Sequence, residues 1–246
     1  MAKRVTNKLV RTEREAERRK AILRAAVEVF SRKGFQGCRI ADVAREAGVA
    51  YGLVYHYFKD KDELLGSVFE SGWQGFLVRV QGALSQQADF ESRIRSVVHV
   101  AFEAYRRDPR GVKVLILEVG RSPSGGAVNR GTEFARVLEL AAAMFAEAQA
   151  QGQVPRHLDP RLSAALLFGA IEMGLTTFVM GLVERTDEVL ERARDQVAET
   201  FLRGMLGARP NVPALAVGAS AEVLPSEAAP WTNVKSGTKS KAARRD

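Results

Sequence analysis

Apolar residues recur three and four positions apart along most of this chain, and no stretch shows the strict alternation typical of a half-buried strand. Glycine and proline interrupt these runs at places where helices usually end or begin. The pattern therefore predicts an all-α fold. We predict helices at about 14–33, 40–47, 50–57, 61–84, 90–106, 109–119, 132–151, 160–183 and 187–206.

Composition divides the chain further. Residues 1–13 form a basic segment ahead of the first helix, and beyond residue 207 prolines interrupt an Ala/Val/Ser stretch that ends in a basic run. We expect a disordered basic arm at 1–13, a disordered tail at 208–246 and a loop at 121–131, where Ser, Gly and Pro cluster. Between them we predict a three-helix unit at 14–60 and an all-helical domain of about five to six helices at 61–207.

The net charge of +8 is spread unevenly. Lys and Arg exceed Asp and Glu by 14 to 7 in residues 1–60 and by 5 to 1 in residues 235–246, whereas the acids prevail by 21 to 18 in between. A basic end on a slightly acidic body is expected where one part of a chain binds a polyanion such as DNA. A solvated basic segment is the other interpretation.

The sequence offers little chemistry for catalysis or metal binding. Cys38 is the only cysteine, which excludes an internal disulfide and a thiolate zinc site. His56, His99 and His157 lie far apart, no His-Glu-x-x-His occurs, and Gly120-Arg-Ser-Pro-Ser lacks the second glycine of a nucleophile elbow. We therefore predict no enzyme, no metal and no cofactor.

The apolar stretch at 162–183 raises the question of a membrane span. It contains Glu172 together with several glycines and threonines, so a helix buried against protein accounts for it better. The charged N-terminal residues contain no apolar run of the length that a secretory signal needs. We expect a cytoplasmic protein.

Residues 40–58 have the pattern of a helix-turn-helix. Gly48 falls where the turn is too sharp for most side chains, and Ala44 is small where the two helices cross. The apolar residues Ile40, Val43, Val49, Val54 and Phe58 are spaced to pack on the first helix. The outward side of the second helix, which would enter the major groove of DNA, is formed by Ala50, Tyr51, Gly52, Leu53, Tyr55 and His56.

Residues 18–70 resemble the N-terminal domain of the TetR family of bacterial repressors. The resemblance covers about a fifth of the chain, and its combination of motifs is specific. The matching residues are Gly34-Phe35, Ile40-x-x-Val43-Ala44-x-x-Ala47-Gly48-Val49, Gly52, Tyr55-x-Tyr57-Phe58, Lys61 and Leu64-Leu65.

This resemblance implies particular DNA contacts. Tyr55 would donate its hydroxyl, and Lys61 its ammonium, to backbone phosphates, which positions the protein without reading sequence. The family commonly has Ser or Thr where Ala50 and Leu53 stand, so we expect an unusual operator. The residues that the resemblance places at the DNA are Arg39, Ala50, Tyr51, Gly52, Leu53, Tyr55, His56 and Lys61.

Several of these residues have a second interpretation. Tyr55 is alternatively a half-buried core aromatic, and Lys61 a solvated lysine near a helix cap. His56 either binds phosphate or packs on its own helix. Cys38, where the family commonly has Thr, is either a redox sensor or a tolerated small residue. The basic arm and tail either follow the DNA backbone or are solvated.

Reading two major grooves requires two copies of the helix-turn-helix about one DNA turn apart, so we predict a homodimer on a palindromic operator. Two helical stripes near the C-terminus are candidates for the interface. The alternative is that they pack within one chain. The stripes are Ala165, Gly169, Met173, Thr177 and Gly181 on one helix, and Leu190, Ala193, Val197 and Phe201 on the next.

In the TetR family the middle helices enclose an inducer cavity. The resemblance therefore implies a ligand pocket between residues 61 and 207, although aromatic residues and methionines at helical spacing also form plain core. The candidate wall residues are Trp73, Phe76, Phe102, Phe134, Met144 and Phe145, with His99 and Glu118 as the polar groups that would orient a ligand.

These observations predict a sequence-specific DNA-binding transcriptional regulator, namely a repressor released from its operator by a small, largely apolar or acyl-bearing ligand. The alternative is a constitutive or architectural DNA-binding protein without an inducer. A co-repressor-dependent or activating regulator is a further variant that the residues leave open.

Overall fold

The computed structural model describes residues 2–85, 89–117 and 127–206, with side chains described at 13–85, 89–117 and 135–206. Within these ranges every regular element is a helix, which confirms the predicted all-α fold. All of these helices belong to one compact unit, Met1–Arg209. They are α1 (Ala2–Gly37), α2 (Ile40–Glu46), α3 (Tyr51–Tyr57), α4 (Lys61–Leu84), α5 (Phe90–Arg107), α6 (Pro109–Leu117), α7 (Ala127–Ala150), α8 (Pro160–Val179) and α9 (Asp187–Leu206).

The helix boundaries differ from the prediction at several places: α1 continues to Gly37 instead of 33, α8 ends at Val179 instead of 183, and two helices begin earlier than predicted. α1 begins at Ala2, so the segment expected as a disordered arm continues the first helix. Its Lys, Arg and Glu residues are good helix formers, and extending an existing helix costs little. α7 begins at Ala127 instead of 132, because a single interior Gly131 weakens a helix without ending it. The remainder of the predicted loop, 121–126, and the predicted tail, 208–246, lie outside the described residues.

Two glycines shape the N-terminal helices. Gly34, with φ of 70°, interrupts α1 at the predicted stop, and Gly48, with φ of 65°, turns the chain between α2 and α3. Residues with a Cβ atom are strained in this left-handed region. Asp60, Asp89 and Asp159 then begin α4, α5 and α8 by accepting the backbone N–H three residues on, at 2.8, 2.9 and 2.7 Å.

Buried apolar side chains form two clusters. The first combines α1, α2 and α3 with the beginning of α4, and Phe30, Val43, Phe58 and Leu64 lie at its centre. Val114 of α6 is fully buried in the same cluster. The core of the helix-turn-helix region therefore extends beyond residue 60 into two helices of the following domain.

The second cluster joins α5, α7, α8 and α9 around Ile94, Phe102, Phe145 and Phe178. Phe76 of α4 packs against it, as do other apolar side chains of α4 and α6. Because α4 and α6 contribute to both clusters, a change in their position alters the packing of the helix-turn-helix and of the C-terminal helices together.

α8 and α9 approach each other closely at Gly174. A Cβ atom there would lie 3.2 Å from Val197 Cγ2 and 3.4 Å from Phe102 Cζ. We expect Gly174→Val to lower the free energy of unfolding by about 2 kcal/mol, because the added carbons have no room. Urea unfolding followed by circular dichroism measures the loss. Gly66→Val is the control for helix propensity, since a Cβ atom at Gly66 meets nothing within 4 Å. Equal losses in the two variants would contradict a steric cause.

Candidate nucleic-acid interface and ligand cavity

The helix-turn-helix is assembled as its apolar pattern predicts. Ile40, Val43, Val54 and Phe58 are buried against α1, and Val49 is half-buried. The Asp42 carboxylate accepts from the Arg39 backbone N–H at 3.2 Å, forms a 2.9 Å ion pair with Lys33 and contacts Arg45. Lys33 above all holds the pKa of Asp42 below its usual range. This carboxylate ties the beginning of α2 to α1.

The outward side of α3 is open to solvent. Ala50, Gly52 and His56 are exposed there, and Arg39 is exposed at the beginning of α2, whereas Leu53 is half-buried. Tyr51 and Tyr55 are 54% and 45% exposed, which removes the interpretation of Tyr55 as a core aromatic. These side chains form one surface of the size that the major groove accepts.

Tyr51 and Tyr55 act as a pair. Their rings meet edge to face with centroids 5.1 Å apart, and the Tyr51 hydroxyl donates to the Tyr55 hydroxyl oxygen at 3.2 Å. A tyrosine hydroxyl that accepts a hydrogen bond still has its own proton to donate, so the Tyr55 hydroxyl can donate outward.

The Lys61 side chain contacts other parts of the same domain. Its Nζ donates to the carbonyl oxygens of Phe35 at 2.7 Å and Cys38 at 3.1 Å, with Gln36 at 3.5 Å, and lies 4.3 Å from the centre of the Phe35 ring. An ammonium has three protons, and these carbonyls occupy them. These contacts favour a role for Lys61 as a cap on the end of α1 over the predicted phosphate contact, because the chain turn after Gly34 brings free carbonyls to the first residue of α4.

Cys38 lies in the core of the same unit. It is 2% exposed, and burial raises the pKa of its thiol to about 11. Because the thiolate is the reactive form, we expect no measurable alkylation by iodoacetamide at pH 8 in the native state and full reaction in urea. A mass-spectrometric time course tests this. Rapid native labelling would restore the interpretation of Cys38 as a redox sensor.

A cavity of about 590 Å³ lies between α1, α4, α5, α6, α7 and α8. Trp73, Phe76 and Met144 line it, as the sequence analysis expected of its wall. Most of the remaining wall is aliphatic and was not identified from the sequence, because these residues look like ordinary core until the helices are in place. They include Leu77, Val80, Leu115, Ile116, Leu138, Ile171 and Leu175, and Phe168 adds an aromatic ring.

Other candidates for the pocket lie elsewhere. Phe102 and Phe145 are buried in the second cluster, because their helix faces point at α8 and α9 rather than at the cavity. His99 lies with Arg95, Arg194 and Asp195 in a separate polar pocket of about 470 Å³. Glu118 and the side chain of Phe134 lie outside the described residues.

The polar residues on the cavity wall were not predicted as pocket residues. Lys20 and Arg24 of α1, Arg79 and Gln81 of α4, Asp108 and Glu172 all line it. The two α1 residues had been counted only as part of the basic N-terminal end. Their place on the wall means that the helix that packs against α2 also borders the cavity.

The two predicted interface stripes differ in exposure: the stripe on α8 is largely exposed, whereas the stripe on α9 packs within the chain. Ala165, Gly169, Met173 and Gly181 are exposed and Thr177 is half-buried, in line with a face that awaits a partner. Leu190 is buried and Ala193, Val197 and Phe201 pack against the second cluster of the same chain, because the small residues of α8 let α9 dock there. Other large exposed side chains were missed by the prediction: Leu162 and Leu166 on α8, and Met180 and Leu182 just beyond its end.

α8 is long and apolar enough to cross a membrane, by length and composition only. One face of it is buried in the second cluster through Leu167, Ile171 and Phe178. Within the described residues no group of three His, Cys, Asp or Glu side chains is placed to hold a metal ion.

Known proteins resemble the helix-turn-helix region of this chain, and some resemble most of its length. The family model for bacterial regulatory proteins of the tetR family matches residues 22–68. The fatty acid metabolism regulator protein of Bacillus subtilis (strain 168) is 29% identical over 175 residues, 69% of this chain and 90% of the relative. The crystal structure of FadR from Bacillus subtilis in complex with stearoyl-CoA has a TM-score of 0.70 at 27% identity and covers 75% of this chain and 98% of that one.

The fatty acid degradation regulator FadR from Bacillus halodurans is similar to the same extent, with a TM-score of 0.71 at 26% identity over 78% of this chain and 97% of that one. These likenesses cover 69 to 78% of the chain and so extend well beyond the helix-turn-helix. Residues 22–68 therefore belong to the TetR family of bacterial regulatory proteins, and the chain is a DNA-binding transcriptional regulator.

Proposed function

We propose that this protein is a cytoplasmic homodimeric repressor that leaves a palindromic operator when a long acyl-bearing ligand fills the cavity between α1, α4, α5, α6, α7 and α8. One observation carries the proposal: the wall of this apolar cavity includes residues of α1, so its occupant touches the helix on which the helix-turn-helix is packed. Residues 14–60 would bind DNA and residues 61–207 would bind ligand and partner. No catalytic step belongs to this function.

The cavity suits a long apolar chain. Its volume of about 590 Å³ lies within the usual range for small-molecule sites, and its wall is mainly aliphatic and aromatic. Stearoyl-CoA is the ligand in the structure of FadR from Bacillus subtilis, which is similar to this chain over most of its length. An acyl chain of comparable length is therefore the first candidate.

α6 provides a second link between cavity and DNA. Leu115 and Ile116 line the cavity, while the preceding residue, Val114, is buried in the N-terminal cluster with residues of α1. Arg110 forms an ion pair with Glu28, and Lys113 Nζ donates to the Ser31 carbonyl oxygen at 2.8 Å. A ligand that shifts α6 would move α1 with it and change the separation of the two recognition helices in the dimer.

The test begins with duplexes selected from a random pool, followed by fluorescence anisotropy of the bound operator against acyl-CoAs of 8 to about 18 carbons. We expect release, with affinity improving about fourfold for each methylene that enters the cavity and levelling off once it is full. Tight operator binding that no acyl compound of any length reverses would favour the constitutive or architectural alternative. Coenzyme A without an acyl chain is the control.

Tyr55 is proposed as a phosphate contact of α3. We expect Tyr55→Phe to weaken binding to all duplexes alike by about fivefold, with the free energy of unfolding unchanged, because only an exposed hydroxyl is lost. Tyr51→Phe should cause a smaller loss, since it removes only the group that orients Tyr55. Anisotropy titrations on specific and random duplexes measure both. Tyr105→Phe, a hydroxyl deletion far from α3, is the control, and a selective loss on the operator alone would contradict a phosphate role.

A further inference from the structure

We infer that α3 recognises its half-site through the 5-methyl group of thymine, and that the ring of Tyr51 makes this contact. The inference concerns the DNA-binding surface alone. It goes beyond the proposed function, which leaves open the bases that α3 contacts, and it does not depend on the ligand that fills the cavity.

α3 lacks the side chains that usually read bases through hydrogen bonds. Guanine is most often bound by Arg or Lys, adenine by Asn or Gln, and cytosine by Asp or Glu, while Ser and Thr serve several bases. None of these residue types occurs in the segment from Ala50 to Tyr57. Thymine differs from the other bases because its methyl group is recognised through carbon contacts. The composition of α3 therefore favours thymine as the base that it reads.

Tyr51 is the residue of α3 best placed for this contact. It lies at the beginning of the helix and is 54% exposed, and the N-terminal residues of a recognition helix are the ones that reach base edges. Val54 is fully buried in the N-terminal cluster, so α3 cannot rotate to turn Tyr51 inward. The Tyr51 ring therefore projects from the surface that docks on DNA.

The Tyr51 ring is held in place before DNA binds. It meets the Tyr55 ring edge to face with centroids 5.1 Å apart, and the two hydroxyl groups are hydrogen-bonded at 3.2 Å. The polar end of Tyr51 is thus occupied within α3, and its carbon atoms remain for a contact with the bases. A ring that is already oriented loses little conformational entropy on binding. Tyr51 offers DNA a fixed apolar surface.

Gly52 supplies a second, independent observation. It is exposed in the first turn of α3, and a Cβ atom there would meet nothing within 4 Å. Its φ is not among the positive ones, so neither packing nor a left-handed backbone requires glycine at this position. Glycine within a helix is less favourable than alanine. A glycine that the fold does not need fits a helix whose backbone approaches another molecule closely, as a short carbon contact with the bases demands.

The polar side chains around Tyr51 are placed for the DNA backbone instead. His56 is in the last turn of α3, away from the end that reaches base edges. Arg39 is exposed at the beginning of α2, and the first helix of a helix-turn-helix crosses the backbone. Phosphate contacts of this kind position the protein without reading sequence, so they leave the choice of base to Tyr51.

The first experiment removes single methyl groups from the DNA. Each thymine in one half-site of the selected operator is replaced in turn by deoxyuridine, which keeps every hydrogen-bonding group of the base, and anisotropy titrations of the full chain give the Kd. We expect one or two adjacent positions to bind about fourfold more weakly, and about 15-fold when both half-sites are changed. Thymines outside the half-sites are the control. No effect at any thymine, or a half-site without thymine, would overturn the inference.

The second experiment returns the methyl group on a different base. Cytosine replaces thymine at the position found, and 5-methylcytosine carries its methyl group at the same place in the major groove. We expect the cytosine duplex to bind weakly and the 5-methylcytosine duplex to bind about fourfold more tightly than it. Equal binding of these two duplexes would show that α3 reads hydrogen-bonding groups, which contradicts the inference.

Variants of α3 then assign the contact to one side chain. Tyr51→Ala removes the ring, so we expect this protein to bind the thymine and deoxyuridine duplexes equally. Tyr51→Phe keeps the ring and Tyr55→Phe leaves it untouched, so both controls should retain the fourfold preference for thymine despite weaker binding overall. Each comparison is made between two duplexes with one protein, so a general loss of affinity or stability does not change it. A Tyr51→Ala protein that keeps the full preference would overturn the assignment to Tyr51.

Discussion

Leu166→Glu on the exposed face of α8 is expected to convert the protein to a monomer and to lower operator affinity about 100-fold. Leu166 and Met173 are 60% and 65% exposed and lie two turns apart, in line with Leu162 and the small residues Ala165 and Gly169. A continuous apolar stripe of this kind on a helix whose other face is already buried is typical of a subunit interface. A carboxylate placed there would be buried without a partner in the dimer.

The effect on DNA follows from the loss of the second binding unit. Two linked helix-turn-helix units bind two half-sites more tightly than one unit binds one half-site, because binding of the first unit raises the effective concentration of the second. A monomer is therefore expected to bind the operator about 100-fold more weakly. Light scattering after size exclusion and gel shifts on the selected operator measure the two consequences together. Val78→Glu is the matched control, since Val78 is 68% exposed on α4 and off this face. A Leu166→Glu protein that remains a dimer would contradict the α8 interface.

Lys61→Met is expected to lower the free energy of unfolding by about 2 kcal/mol and to abolish tight operator binding. The substitution keeps most of the side-chain volume but leaves the carbonyl groups of Phe35 and Cys38 without the charged donor that now binds them. The end of α1 would then be free to move away from α4, and the turn that leads into α2 would lose its support. Urea unfolding monitored by circular dichroism gives the stability.

The salt dependence of DNA binding distinguishes this role from a phosphate contact. A lysine that contacts phosphate would change the slope of log K against log salt by about one and leave stability unchanged. We expect the reverse for Lys61→Met, with reduced stability and an unchanged slope for the binding that remains. Lys59→Met, which removes an exposed neighbouring charge, is the control. A stable Lys61→Met protein with a reduced slope would restore the phosphate contact.

The features of this protein that could be predicted from its sequence are those that local chemistry decides. Helical periodicity, aspartate caps and glycine turns act within a few residues, so α4 and α9 have the predicted bounds and Gly48 adopts the left-handed turn. The same reasoning found the exposed side of α3, because one face of a short helix in a small unit must be buried and the other is left outside.

Packing between distant helices was harder to predict. Lys61 and the carbonyls that it binds are more than 20 residues apart, and nothing in the motif distinguishes a lysine that caps a neighbouring helix from one that reaches DNA. His99 and Phe102 occupy helical positions as suitable for a cavity as Trp73 and Phe76, yet the rotation of α5 against α9 turns them away. Such rotations depend on the shapes of all the side chains between two helices.

The sequence by itself thus determined an all-α chain with a DNA-reading unit near one end, since periodicity, caps, turns and charge are properties of neighbouring residues. The tertiary structure alone decided that α9 packs inward while α8 keeps a free apolar face, that Lys61 supports the fold, and that cations of α1 border the ligand cavity. These features bring together residues far apart in the chain, and their contacts exist only once the helices have packed.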